Sequence, residues 1–295
     1  MAVSICIVSW NRPQELQCLL RSIHDNLQQG PVHEILILDN GSSPPYELTS
    51  VPEVLSDKLR IIRSETNLGC PAGRNLLARE ASAPLLFFID DDGVLEKESD
   101  LGTAIDWLSS DQTLMAVTGL VTEDRRTRMR TPWRFRKHRL LTATRKNAPG
   151  FIGGCVILKR EHFLALGGFS DSGRFGGEEA LLSIQALLAG RTFGFTSDFE
   201  LAHEPSPEGR LTKVEVGVAN LTNRLVMASH FGYPMRLTLI TSAILSNLRR
   251  GGLRALADAV GRYPPDSASA RELEELRIRL SSWRLLRTLG WRAWI

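Results

Sequence analysis

Four short apolar runs in the first 90 residues are the feature that most constrains the fold. They are rich in β-branched and aromatic side chains, and they occupy residues 3–8, 34–38, 59–62 and 85–89. Segments with helical periodicity separate most of them. Such alternation is typical of a mostly parallel sheet that is wrapped by helices. The sequence therefore predicts an α/β domain.

The segment after the first predicted strand shows how its helix is encoded. Pro13 stands at a favourable first helical position, and apolar side chains then recur along one face. These side chains are Leu16, Leu19, Leu20, Ile23 and Leu27. Pro71 opens a second helix over residues 72–81 in the same way.

The remaining elements divide the chain into two regions. Downstream of residue 92 the patterns predict helices at 97–108 and 178–189 and strands at 114–121, 151–158 and 191–196. From residue 206 onward only helices are predicted. Residues 206–295 contain 14 Arg and Lys against 7 Asp and Glu, a net charge of +7, which leaves −4 for residues 1–205. We therefore predict a catalytic domain at 1–205 and a helical extension at 206–295.

Composition narrows the class of protein. With 295 residues, 43% of them hydrophobic and 23% charged, the chain is globular in character, which excludes the disordered and fibrous classes. The four cysteines form no C-x-x-C pair, and the first ten residues read as a strand and lack the features of a signal peptide. Residues 237–248 form an apolar stretch that is shorter than the roughly 20 residues of a spanning helix. We expect a reduced, cytoplasmic protein.

Residues that directly follow strands are the first candidates for ligand contacts, because ligands bind at the carboxyl ends of the strands in an open parallel sheet. Four such places stand out. They are residues 9–12, 39–43 and 90–92, and the region after the predicted strand ending at Thr196, which includes His203.

Asp90, Asp91 and Asp92 form the most conspicuous of these groups. Like charges this close raise each other's pKa, and a cation relieves the cost. Mg²⁺ or Mn²⁺ typically binds one or two carboxylates together with substrate phosphate oxygens. A solvated acidic turn that ends at Gly93 is the alternative interpretation.

Six segments in a fixed order decide between these interpretations. They are residues 3–11, 35–43, 67–75, 86–92, 153–169 and 176–190. Together they resemble the family-2 glycosyltransferases, whose catalytic domain has the GT-A nucleotide-diphospho-sugar transferase fold with a Rossmann-like sheet. The resemblance covers roughly the first 205 residues and ends near His203.

The resemblance implies a set of residues that bind the donor nucleotide and its diphosphate. They are Ser9, Trp10, Asn11, Arg12, Asp39, Asn67, Gly69, Arg74, Asp90 and Asp91. Asp39 would accept a hydrogen bond from the imino group of uracil or thymine, and Trp10 would offer a flat apolar face, unless it is an ordinary core aromatic. Arg74 would reach toward the nucleotide or its phosphates.

The resemblance also implies a divalent metal, Mn²⁺ or Mg²⁺. Asp92 is the expected direct ligand, with Asp90 and His203 beside it and Asp91 as a substitute for Asp92. A lone His can instead have a structural role.

An inverting transfer needs a base that takes the proton of the attacking hydroxyl group. The family usually supplies it from a Glu-Asp pair at the start of a helix, and the matching residues here are Glu178 and Glu179. The second acid is one methylene longer than in that pattern, so which Glu acts stays open. Acids in a first turn also stabilise a helix through its dipole.

Two basic segments suggest partners. Residues 125–139 contain seven arginines interleaved with Trp133 and Phe135, which indicates an acceptor or diphosphate-binding loop, a solvated loop, or an RNA-binding surface. Of these we favour the first and expect no nucleic acid partner. The helical extension could lie on the inner face of an anionic membrane, pack on the catalytic domain, or join a homodimer.

Taken together, these features predict metal-dependent, inverting transfer of a sugar from a UDP- or dTDP-sugar to a hydroxyl group. The acceptor would be a glycan, a lipid-linked molecule or a small molecule, in cell-surface glycan or natural-product glycoside synthesis. The alternatives are a sugar nucleotidyltransferase, which would need a Gly-rich phosphate loop after the first strand, and an inactive nucleotide-sugar-binding module. A dinucleotide dehydrogenase lacks support, because no G-x-G-x-x-G follows a predicted strand.

Overall fold

The computed structural model describes residues 1–27, 31–47, 53–96, 99–123, 146–148, 150–170 and 178–204, together with residues 237, 240, 241, 244 and 245. The chain divides into two compact units. The first comprises Met1–Phe169 and Leu182–Gly209, and the second comprises Ser170–Leu181 and Arg210–Ile295. The predicted helical extension and the basic segment at 125–139 lie outside the described residues, except for the five positions near residue 240, which are helical.

Nine strands and six helices occur in the described part of the chain. The strands are β1 Val3–Ser9, β2 Val32–Asn40, β3 Leu59–Ser64, β4 Leu85–Ile89, β5 Gly93–Leu95, β6 Leu114–Glu123, β7 Lys146–Ala148, β8 Cys155–Lys159 and β9 Thr192–His203. The helices are α1 Pro13–Leu27, α2 Glu53–Ser56, α3 Cys70–Glu80, α4 Gly102–Ser110, α5 Arg160–Ala165 and α6 Glu178–Leu188. No helix among these residues is long and apolar enough to span a membrane.

All nine strands join one sheet in the order β3-β2-β1-β4-β8-β6-β9-β5, with β7 paired to β9. The half formed by β3, β2, β1 and β4 is parallel, as the sequence predicts. In the other half only β6 and β9 are parallel, and β8 runs antiparallel to both β4 and β6. A parallel connection usually requires a helix, and the sequence predicts none between residues 123 and 151, the segment that connects β6 to β8. This agrees with the antiparallel pairing of β6 and β8, so the sheet as a whole is mixed.

Helix α1 confirms the predicted apolar face. Leu16, Leu19, Leu20 and Ile23 are each at most 1% exposed and belong to the core beneath the sheet strands. Because α1 begins directly after β1, its burial against the core also sets the direction of the loop at residues 10–12. That loop supplies part of the site described below.

Strand β9 is longer than predicted. Thr118 of β6 pairs with Phe195, but Leu120 pairs with Glu200, so four residues of β9 bulge opposite Gly119. Because several residues of this bulge are polar, the sequence pattern predicts that the strand ends there. The strand continues to His203, which pairs with Gly93 of β5. The expectation that His203 follows the strand is corrected: it is the last strand residue, next to the acidic run.

Candidate donor-binding site

The ends of β1, β2 and β4 meet at one edge of the sheet. Ser9 at the end of β1 lies in register with Asp39 of β2, and β4 is the other neighbour of β1. The acidic run at residues 90–92 follows β4 at once. Three of the four groups singled out in the sequence therefore share one edge, as expected for strands that run parallel.

Hydrogen bonds join the loop after β1 to the loop after β2. Asn11 has a positive φ of 54°, a conformation that Asn tolerates better than most residues. Its backbone N–H donates to Ser42 Oγ at 2.9 Å, and its side-chain oxygen accepts from the backbone N–H of Ser43 at 2.9 Å. Asn11 therefore positions the two loops against each other. Trp10 beside it is half-buried.

Asp39 lies beneath these loops and is almost completely buried. Its carboxylate accepts hydrogen bonds from the backbone N–H groups of Ser42, at 2.9 Å, and Tyr46, at 3.1 Å, and pairs with Arg63. Burial opposes the charged form, but these donors outweigh it and hold the pKa of Asp39 below its ordinary value. Asp39 thus anchors the loop after β2, and a contact with the base stays a prediction.

Residues 66–69 close the same edge beside β2. Asn67 Oδ1 accepts hydrogen bonds from Gly69 N–H at 2.8 Å and from the Asn40 side chain at 3.1 Å. Gly41 has a φ of 81°, and a side chain there would meet the backbone of Thr66 and Asn67 within 3 Å. The glycine permits this close approach of two loops. Asn67 and Gly69 therefore lie near the loop after β2, and their contact with the donor stays a prediction.

Asp90 pairs with Arg74 of α3. Arg74 Nη2 lies 2.6 Å from Asp90 Oδ1, and the guanidinium also stands 5.9 Å from the ring centre of Phe88 and 5.8 Å from that of Phe169. Gly154, the residue before β8, lies directly against the Asp90 carboxyl group. Aromatic rings and the carboxylate together hold a buried guanidinium in place.

Asp91 is the most buried of the three acids of the run, Asp90, Asp91 and Asp92. Arg12 Nη1–H donates to Oδ1 at 2.9 Å, and Ser9 Oγ–H donates to Oδ2 at 2.7 Å. Tyr46 Oη lies 2.7 Å from Ser9 Oγ and accepts from the backbone N–H of Arg12 at 2.9 Å. Burial is the largest influence on Asp91 and raises its pKa to about 6 despite the charge of Arg12.

Asp92 connects the acidic run to β9. Its Oδ2 accepts from the same Arg12 Nη1 at 3.1 Å, and its Oδ1 lies 3.3 Å from His203 Nε2. The backbone N–H of Glu204 donates to Asp92 O at 2.9 Å, which fixes the end of β9 here. Burial opposes ionisation, but His203 and Arg12 outweigh it and lower the pKa of Asp92.

Two guanidinium groups thus balance much of the negative charge of the acidic run. The sequence analysis expects a cation to relieve the repulsion between three adjacent carboxylates, and Arg12 and Arg74 supply part of this positive charge from the chain itself. The run alone is therefore weaker support for a metal than the pair of Asp92 and His203.

The pair of Asp92 and His203 fits a divalent cation. In an octahedral site with bonds of about 2.1 Å, neighbouring ligand atoms lie about 3 Å apart, close to the 3.3 Å found here. Within the described ranges no group of three or more His, Cys, Asp or Glu side chains could hold an ion. Mg²⁺-type ions commonly use one or two protein ligands and complete their shell with substrate phosphate and water.

Asp91→Asn is expected to change how stability depends on pH. Because burial raises the pKa of Asp91 from an ordinary 3.8 to about 6, the folded protein binds this proton more tightly than the unfolded chain. Its contribution to the free energy of unfolding is fully present below about pH 4 and is lost as the pH rises to about 6. At about 1.4 kcal/mol per pKa unit, the loss is about 3 kcal/mol. Urea titrations should show that the free energy of unfolding of the variant rises by this amount relative to that of the wild type between pH 4 and 7. If the free energies of the two proteins change in parallel with pH, the assignment is contradicted.

Glu178 and Glu179, the predicted bases, are the first residues of α6 and belong to the second unit. Glu178 is buried and Glu179 half-buried. Glu179 Oε2 is buried and has no hydrogen-bond partner among the described residues. Their catalytic role stays a prediction.

Tyr46, Arg63 and Gly154 are residues of this edge that the sequence analysis did not single out. Arg63 lies in register with Asp39 at the end of β3, so its position at a strand end was a usable signal. Tyr46 follows two prolines in a loop, and nothing in its neighbourhood marks it. Gly154 lies in a segment used for the family resemblance, but only the sheet pairing places it against Asp90.

Comparisons with known proteins show the family and the fold of the chain. The profile of Glycosyl transferase family 2 matches residues 4–167. An uncharacterized glycosyltransferase of Haemophilus influenzae is 36% identical over 90 residues, which are 30% of this chain and 29% of that protein. The chain therefore spans less than a third of the length of this curated relative.

Solved structures share the fold at low sequence identity. GalNAc-T7 with UDP, GalNAc and Mn²⁺ has a TM-score of 0.64 at 15% identity, over 98% of this chain and 58% of that chain. The mannosyltransferase PcManGT of Pyrobaculum calidifontis, in complex with GDP-Man and Mn²⁺, has a TM-score of 0.57 at 18% identity, over 99% and 82%. The mixed α/β architecture is the GT-A fold. Since the family profile covers more than half of the sequence, the chain belongs to glycosyl transferase family 2.

Proposed function

We propose that the protein transfers one sugar from a nucleoside diphosphate sugar, UDP- or dTDP-linked, to a hydroxyl acceptor with inversion. The observation that carries this proposal is the group formed by Asp92, Arg12 and His203 at the sheet edge where the loops of β1, β2 and β4 meet. Family membership supports it, as do the nucleotides bound to GalNAc-T7 and PcManGT.

The donor nucleotide would lie over the loops at the ends of β1 and β2. Arg12 and Arg74 bring positive charge to the side of the acidic run, where a diphosphate can be held between arginines and a cation. The residues proposed to bind the donor are those implied by the family resemblance: Ser9, Trp10, Asn11, Arg12, Asp39, Asn67, Gly69, Arg74, Asp90 and Asp91.

Asp92 and His203 would hold a divalent ion, Mn²⁺ or Mg²⁺, with Asp90 nearby. When bound, such an ion stabilises the negative charge of the departing diphosphate. The Mn²⁺ in both neighbouring structures supports this proposal. In the described geometry Asp90 is engaged with Arg74, so we assign it a lesser share in ion binding than Asp92.

The base would be Glu178 or Glu179. A base must offer a carboxylate oxygen that can accept the hydroxyl proton of the acceptor. Glu179 has a buried Oε2 without a hydrogen-bond partner in the described part of the chain, which supports an acid at the start of α6 as the base and leaves the choice between the two open. The acceptor would be a glycan, a lipid-linked molecule or a small molecule, in cell-surface glycan or natural-product glycoside synthesis. Cytoplasmic location, contact with a membrane surface and a homodimer belong to the same proposal.

A thermal-shift screen tests the proposal directly. UDP, dTDP, GDP and ADP are compared with the matching monophosphates, each with Mn²⁺ and with EDTA. A ligand at about 100 times its Kd adds about 2.7 kcal/mol to the native state, so one diphosphate should raise Tm by about 5 °C or more with Mn²⁺. The monophosphate and the EDTA samples should shift much less.

Sugar release then separates the remaining alternatives. The matching nucleotide sugar should be hydrolysed or transferred, and the anomeric configuration of a transferred sugar reports inversion. Nucleotide binding without turnover of any tested donor would favour an inactive binding module. Pyrophosphate release from a nucleoside triphosphate and a sugar phosphate would favour a nucleotidyltransferase, and the absence of any nucleotide shift would overturn the proposal.

A further inference from the structure

Arg12 is held in place through its main chain. Its backbone N–H donates to Tyr46 Oη at 2.9 Å, and its backbone oxygen accepts from Leu16 N–H of α1 at 3.0 Å. The preceding Asn11 is itself bonded to the loop after β2. The base of the Arg12 side chain is therefore fixed, and the side chain as a whole is only 16% exposed.

One nitrogen of the Arg12 guanidinium donates hydrogen bonds to two acids. Nη1 lies 2.9 Å from Asp91 Oδ1 and 3.1 Å from Asp92 Oδ2. The two acids differ in what else they contact. Asp91 is bonded to Ser9, while Asp92 is shared with His203 on its other oxygen. Arg12 can thus leave Asp92 and stay on Asp91.

Asp92 has two candidate cations, and they repel each other. A guanidinium and a divalent ion on one carboxylate place like charges a few ångströms apart in a partly buried site, where the repulsion is strong. A diphosphate that binds both cations removes this repulsion. The charge pattern of the site therefore favours simultaneous arrival of the ion and the diphosphate over the ion alone.

We propose that the Arg12 guanidinium is the counter-ion of Asp92 in the absence of donor, and that it leaves this carboxylate when a divalent ion binds together with a nucleoside diphosphate. Arg12 then remains on Asp91 and contacts the diphosphate. The protein would consequently bind Mn²⁺ weakly by itself and much more tightly with the nucleotide. This inference rests on the proposed function, because it takes Asp92 as the ion ligand.

The test measures Mn²⁺ binding to the full chain by the electron paramagnetic resonance signal of free Mn²⁺, without nucleotide and with UDP. Arg12→Gln should bind Mn²⁺ alone at least about tenfold more tightly than the wild type, because the competing charge is gone. Arg12→Lys keeps the charge and should stay within about threefold of the wild type. Arg60→Gln removes a guanidinium from an exposed pair with Glu80, away from the site, and should change nothing.

Tyr46→Phe supplies a second, milder test should Arg12→Gln fail to fold. It removes the hydroxyl group that accepts the hydrogen bond of the Arg12 backbone N–H, while the aromatic ring and the positive charge of Arg12 stay. It should tighten Mn²⁺ binding about threefold. Unchanged or weaker Mn²⁺ binding in folded Arg12→Gln, or in Tyr46→Phe should Arg12→Gln fail to fold, would overturn the inference.

The outcomes also separate this inference from the proposed function. A wild type that binds UDP with Mn²⁺, beside an Arg12→Gln variant of unchanged Mn²⁺ affinity, leaves the proposed function standing and removes the role of Arg12. A wild type and variants that bind neither Mn²⁺ nor any nucleoside diphosphate overturn both.

Discussion

Asp92→Asn should lower kcat/KM for sugar transfer by about 100- to 1000-fold, the range seen when one strong electrostatic contact to a transition state is removed. The substitution keeps the shape of the side chain but removes the charge that Arg12 and His203 contact at 3.1 and 3.3 Å. Both the ion and the arginine beside the diphosphate would lose their common carboxylate. Initial rates with the nucleotide sugar identified in the thermal-shift screen give the change directly.

A matched control for Asp92→Asn is Asp57→Asn, an identical chemical change at an exposed residue outside the sheet edge. Its kcat/KM should stay within about twofold of the wild type. Circular dichroism spectra of both variants should match the wild type, because Asp92 lies in the turn between β4 and β5 and contributes no apolar packing. Full activity of Asp92→Asn, or activity that persists in EDTA, would contradict the ion-binding role.

Gly154→Ala should lower the free energy of unfolding by about 1–3 kcal/mol, a typical cost of overpacking. It should also lower kcat/KM for sugar transfer by about 100-fold, because the donor-binding groups are displaced. A methyl group on Gly154 would overlap the Asp90 carboxyl group. The backbone cannot easily move aside, because Asp90 N–H donates to Gly154 O at 3.0 Å. The carboxyl group must therefore shift and weaken its 2.6 Å ion pair with Arg74. Urea unfolding and initial rates measure the two effects.

Gly102→Ala is the corresponding control. Gly102 is the first residue of α4, and an added methyl group would meet only the end of the exposed Asp100 side chain at 3.0 Å. The free energy of unfolding should change by less than about 1 kcal/mol, or rise slightly, since Ala suits a helix better than Gly. An equal loss of stability in both variants would show that Asp90 is not the reason for the effect at Gly154.

Several elements of the fold are encoded locally and were predicted from the sequence. The face of α1 is visible as a period of 3.6 residues, and each parallel strand is visible as an apolar run that ends in polar residues. The position of Asp90, Asp91 and Asp92 after β4 follows from the same pattern. These features depend on a few neighbouring residues, so their periodicity is sufficient evidence.

The pairing of strands was not predictable in the same way. The direction of β8 and the continuation of β9 through its bulge to His203 depend on partners that lie 30 or more residues away. Residues 196–198, Thr-Ser-Asp, read as the end of a strand, and only the register with β6 shows that the strand resumes. Nothing local distinguishes a bulge from a true end.

By itself, the sequence determined an α/β protein with acidic, basic and polar groups at the ends of its first four strands, because strand and helix periods are local properties. The tertiary structure alone decided which of these groups meet: Arg12 with Asp91 and Asp92, Arg74 with Asp90, and His203 with Asp92. Such contacts join residues far apart in the chain, and their geometry follows from strand order and register, which pattern and composition do not contain.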